Sequence, residues 1–168
     1  PKIARGVAEH SDFANDTAGR LRRTLQATNG IAFGTVAEAE AIAQRMRKVH
    51  GRVKGDGYSA FEPALLLWVL ATLVMAAIQG YELVHGKLPD DRRETFYREM
   101  VRFGGFFGVR DAPANFAEFE RYYDEMIQGE ILGGEPICAE VTRKIVYPMD
   151  SWSMKLLGRA IDAGSVEL

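Results

Sequence analysis

Apolar residues recur at helical spacing along nearly the whole chain, and no alternating strand pattern survives beyond a few residues. A first helix is predicted from about Asp16 to Thr28, with Asn29-Gly30 as its stop or bend. Thr35 then reads as an N-cap, with Glu38 three residues later completing a capping box. The helix it opens carries Val36, Ala39, Ile42, Ala43, Met46, Val49, His50 and Val53 along one face, with Gly51 late in the run and Gly55-Asp56-Gly57 ending it.

A strongly apolar helix follows from about Glu62 to Val84, with Pro63 in the first turn, where its missing N–H costs nothing. Its apolar stretch, Ala64 to Ile78, is interrupted only by Thr72 and falls short of the roughly 18 to 20 residues needed to span hydrocarbon. A core helix with no membrane span is therefore expected. Leu88-Pro89-Asp90-Asp91 opens the next helix with acids suited to the macrodipole; Phe96, Met100 and Phe103 follow, and Gly104-Gly105 should break it. Further helices are predicted from Pro113 through Ile127, from about Ile137 to Val146, and from roughly Trp152 to Ala163. The expectation is an all-α protein, one multi-helix domain over residues 1–168.

Composition narrows the chemistry. With 168 residues, 47% hydrophobic and 26% charged, the chain has the makeup of one globular domain. The single Cys138 excludes an intramolecular disulfide framework and a Cys-based zinc cluster. Net charge is −2, yet residues 20–54 hold eight basic residues against Glu38 and Glu40. That concentration suits an anionic ligand or a solvated helix face. A pI near 6.0 and the lack of a recognition motif argue against nucleic acid. No phosphate-binding loop or dinucleotide fingerprint occurs. The chain starts at Pro1 without a Met or a signal peptide; a cytoplasmic location is the expectation, with any targeting segment lying outside this sequence.

A few residues stand apart. Arg20 and Thr24 are four apart and share a helical face, with Arg23 adjacent. An inward Arg needs an anionic partner, because a guanidinium cannot shed its charge; the alternative is a solvent-facing Arg with Thr24 bonded back to its own helix. His50 lies on an apolar helix face, as a core histidine or a metal ligand. His10 and His85 show no partner spacing, which disfavours a multi-His metal site but leaves haem, where porphyrin supplies the other four equatorial ligands.

Taken together, His10-Ser11-Asp12-Phe13, Arg20-Leu21-Arg22-Arg23-Thr24, Val49-His50-Gly51-Arg52-Val53-Lys54-Gly55, Tyr58-Ser59-Ala60 and Trp68-Val69 resemble the family that contains the mycophenolic-acid oxygenase MpaB and the bacterial latex-clearing rubber oxygenases. The resemblance covers about residues 3–130 and rests on an Arg-x-x-x-Thr and His-x-x-Val-x-Gly pair in this order. It implies a helical fold enclosing a haem b pocket, with His50 as the proximal iron ligand and Arg20 and Thr24 beside the haem. Rubber-cleaving members carry a Lys where this chain has Arg23, and use an upstream Glu as base, for which Glu9 is the nearest acid. Relatives often read Trp-Val-His where this chain reads Trp68-Val69-Leu70, and normally extend beyond both of its ends. The implied activity is a haem-dependent oxygenase adding dioxygen to an apolar, isoprenoid-like unsaturated substrate. The alternative is a helical protein that binds haem or an apolar ligand without catalysis.

Overall fold

The computed structural model describes residues 1–11, 16–129 and 132–146. Their fold is all-α: α1 (Lys2–His10), α2 (Thr17–Phe33), α3 (Val36–His50), a minimal hairpin of β1 (Lys54–Gly55) and β2 (Tyr58–Ser59), α4 (Pro63–His85), α5 (Asp90–Phe106), α6 (Phe116–Gln128) and α7 (Pro136–Val146). Helix starts follow local chemistry. The Asp16 side chain accepts from the Gly19 amide at 2.9 Å, and Thr35 and Glu38 form the reciprocal capping box. Pro63 occupies the first turn of α4, and Asn115 caps α6 by accepting from the Glu118 amide at 2.9 Å.

The main core forms where α4, α5 and α6 meet. Leu70, Ala71, Val74 and Ile78 of α4 are buried with Tyr97 of α5 and with Phe116 and Phe119 of α6. Tyr97 is 1% exposed and donates its hydroxyl proton to the Pro113 carbonyl at 2.7 Å, so its buried polar end is satisfied. Outside that cluster, α2 and α3 pack as an antiparallel pair on small residues, with Ala39 and Ala43 buried against the face that includes Ile31. Arg47 joins the two regions by donating from Nη1 to the Phe106 carbonyl at the end of α5.

The structure corrects several element boundaries. α1 has no counterpart among the predicted helices; it docks by Lys2–Glu62 at 2.8 Å, Arg5–Glu135 at 3.1 Å, and the Tyr58 hydroxyl donating to Glu9. α2 runs through Asn29-Gly30 to Phe33, because Gly30 serves close approach instead of termination: a Cβ there would lie 2.4 Å from Ile42 Cδ1. α3 stops at His50, where Gly51 returns its amide to the Arg47 carbonyl. Val53 therefore lies beyond the helix, and the Asp56-Gly57 step becomes a hairpin turn, Gly57 supplying φ 72°. Residues 53–60 are too short a strand pair to register as an alternating pattern.

Gly104-Gly105 lies inside α5 and does not break it. Gly104 is there for helix packing, since an added Cβ would lie 2.8 Å from Leu70 Cδ2. Gly108, at φ 92°, takes the left-handed turn that follows. α6 begins at Phe116, not Pro113, because the Asn115 cap sets its start. α4 meets its expected bounds, but only 22% of its most apolar window is buried. By length and composition it is apolar enough to cross a membrane; in this fold one face makes core and the other stays uncovered. The helix predicted from Trp152 lies outside the described residues.

Candidate cofactor site

His50 is the last residue of α3, positioned by the capping-box start, by small residues packing against α2, and by the glycine stop that follows. A helix C-terminus ordinarily favours a protonated imidazole. Here burial, and secondarily the Arg20 cation, push His50 below its ordinary value of 6.5, so the neutral ring predominates at neutral pH. Its Nδ1 is buried with no hydrogen-bond partner among the described residues. Phe107 lies against the ring at a centroid distance of 6.0 Å, and Phe103 backs Phe107 at 5.2 Å.

Arg20 reaches the histidine because α2 runs antiparallel to α3, so the start of one helix adjoins the end of the other. Its pKa is lowered, first by burial and then by Arg23, but a guanidinium remains charged. Arg20 and His50 are thus brought together. Thr24 and Arg23 turn to other partners. The exposed Thr24 hydroxyl donates to the Arg20 carbonyl at 3.0 Å, the bonding back onto its own helix that was the alternative at this position. Arg23 pairs with Asp16 at 3.0 Å, and both side chains are about half exposed. Glu9 is engaged by the Tyr58 hydroxyl, raising the Tyr58 pKa.

Leu70, where relatives of the resembled family often place His, is 4% exposed inside the α4–α5–α6 core. No three His, Cys, Asp or Glu side chains converge on a common point among the described residues. A metal held by His50 would therefore bring its remaining ligands with it, as a porphyrin does. Leu21 and Leu25 of α2, Val49 of α3, and Val69 and Leu73 of α4 stay between 40% and 55% exposed, leaving apolar surface uncovered on these helices.

The sequence pattern did not single out Phe103, Phe107 or Arg47 for this region. The four-residue spacing of the two phenylalanines at the end of α5 was the available signal, hidden by reading Gly104-Gly105 as a break.

Fold and site define a small all-α domain in which a neutral histidine, an arginine and an aromatic pair meet where α2 and α3 adjoin the end of α5. The chain belongs to the family described as ER-bound oxygenase mpaB/B'/Rubber oxygenase, catalytic domain, whose family model matches residues 1–168. Among curated proteins it is similar to uncharacterized proteins of Mycobacterium tuberculosis and Mycobacterium bovis. Each is 26% identical over 104 residues, covering 58% of this chain and 41% of the relative. The chain thus spans about two-fifths of the length of those relatives. No solved structure matches.

Proposed function

We propose that this domain is a haem b-dependent oxygenase acting on an apolar, unsaturated, isoprenoid-like substrate, with His50 as the protein ligand to iron. The observation that carries the proposal is the neutral His50 ring with a buried nitrogen that has no hydrogen-bond partner among the described residues. Leaving such a group unsatisfied costs about 1 to 3 kcal/mol unless a ligand or proton partner engages the ring. The residues present fit a haem. His50 offers an imidazole lone pair, Arg20 places a cation beside it suited to a propionate, and Phe103 and Phe107 form a dry wall.

Bound haem would supply dioxygen activation, and in this family the expected outcome is oxidative cleavage of a carbon–carbon double bond to carbonyls. The chain's own contribution is positional and electrostatic. Burial and Arg20 keep His50 unprotonated and ready to donate its lone pair. The uncovered apolar side chains Leu21, Leu25, Val69 and Leu73 suit a hydrocarbon substrate better than a polar one. Thr24 fixes no substrate group while its proton is committed to the Arg20 carbonyl, so its remaining role is that of acceptor.

A second reading, haem or apolar-ligand binding without turnover, is favoured by the placement of Arg23 and Glu9, which are engaged by Asp16 and Tyr58. An absorption spectrum of protein purified with haem available, beside His50→Ala, tests the ligand assignment. A Soret band that weakens or shifts in the variant is expected; an unchanged band removes His50 as ligand, and no band in folded wild type removes haem. Oxygen uptake with unsaturated isoprenoids then separates the oxygenase from the binder, which loads haem and consumes nothing.

A further inference from the structure

A groove of about 590 Å³ lies between α3 and α5, lined by Glu40, Gln44 and Arg47 of the one and Arg102, Gly105 and Phe106 of the other. Arg47 is half-buried and held in place, its Nη1 donating to the Phe106 carbonyl. That bond leaves the Nε–Nη2 edge of the guanidinium without a partner among the described residues, the edge that matches a carboxylate in a two-bond fork. Arg102 likewise makes no ion pair among the described residues. Glu40 precedes Arg47 by seven residues, about 10 Å along α3, and makes no ion pair among the described residues, so it does not neutralise Arg47.

Gly105 adds an independent observation. Its φ is not positive, the turn after α5 is taken by Gly108, and no atom outside its chain neighbours and the local helix backbone lies within 4 Å of where a Cβ would stand. Neither backbone conformation nor packing requires glycine here, and Ala is the better helix former. Gly105 lines the groove, and the space beside it is open.

We propose that this groove binds the carboxylate of a small organic acid, held in the fork of Arg47 and by Arg102, with Gly105 keeping the floor clear and Gln44 offering its amide. Phe106 lines the groove while the next residue, Phe107, lies against His50, so the two sites adjoin at the C-terminal end of α5. The groove does not depend on the haem proposal.

Calorimetric titration of the full chain, supplied with haem, uses octanoate as the probe and octanol and inorganic phosphate as controls. Octanoate should bind, and Arg102→Ala and Gly105→Leu should each weaken it at least tenfold while the melting temperature holds or rises. Gly105→Ala, which fills less of the groove, should fall between. Equal binding in all variants overturns the proposal, as does octanol binding as well as octanoate. Phosphate binding as tightly as octanoate would replace a carboxylate site with a general attraction for anions. No octanoate binding at millimolar concentration, including a groove already filled by the carboxylates of haem, would remove the separate site.

Discussion

The α4–α5–α6 cluster and the α2–α3 pair solve the packing problem in opposite ways. The first is built from large side chains, with Tyr97, Phe119 and Val74 almost wholly buried around Leu70 and Ile78. The second is built from small ones: Ala39 and Ala43 are buried, and Gly30 lets Ile42 approach the α2 backbone. Large residues interlock and resist displacement, whereas small ones bring helices close while burying little apolar area. The α2–α3 pair consequently leaves Leu21, Leu25 and Phe33 exposed, and it carries Arg20 and His50. The aromatic cluster is scaffold; the alanine pair carries the proposed cofactor site.

The sharpest way to break this comparison is to hollow the scaffold. Phe119 is 1% exposed and touches the rings of Tyr97, Phe116 and Tyr123. Phe119→Ala should cost about 3 to 5 kcal/mol, as cavity-forming changes in aromatic cores do, and be read as a fall in the urea midpoint. A loss below about 1 kcal/mol would mean that the cluster is not the stabilising core.

The alanine pair should fail in the opposite way, by addition of volume. Ala43 is fully buried, so Ala43→Leu should destabilise by about 1 to 3 kcal/mol through overpacking. On the haem proposal, the same substitution should also weaken haem retention by moving α2, and with it Arg20, relative to His50. If Ala43→Leu is tolerated with haem binding intact, the two helices are not packed on this face.

How much of this was legible in the sequence follows from the range of the signal. Caps act within a few residues, so Thr35/Glu38, Pro63 and the acids of α5 marked their helices correctly. Glycines were misread wherever their reason was tertiary: Gly30 and Gly104 admit Ile42 and Leu70, contacts that lie across sequence gaps no local rule can see. α1 docks through ion pairs to Glu62 and Glu135, partners 60 and 130 residues away, and its own spacing gave no warning. At the site, helical spacing placed His50 on an apolar face and left Arg20 open between an inward and a solvent-facing orientation. The fold supplied what spacing lacks: an antiparallel α2 that brings Arg20 to His50, and Phe107 from the end of α5. Arg23 and Thr24 share that motif but point to partners on their own helix or at its start, since a shared motif does not fix a shared orientation.

The finest test of the comparison is alkaline pH, which should strike the scaffold through Tyr97. Burial, aided by the nearby carboxylates of Glu94 and Glu118, raises its pKa from 10.0 to about 12. In the unfolded chain the phenol ionises near 10, while in the folded chain it must stay neutral to remain in the core. Between these values the unfolded state releases the proton first, so the stabilisation is fully present below pH 10 and is lost as the pH rises through about 12. Lys side chains ordinarily titrate in the same range, and Tyr122 is also raised by burial, which makes the difference from a variant the informative quantity. Tyr97→Phe should cost about 1 kcal/mol at pH 7, for the hydrogen bond to the Pro113 carbonyl, and should lose less stability than wild type above pH 10. Parallel stability curves from pH 8 to 11.5 would show that Tyr97 ionises without disturbing the core. The aromatic cluster would then be less sealed than its burial implies, and its contrast with the alanine pair correspondingly weaker.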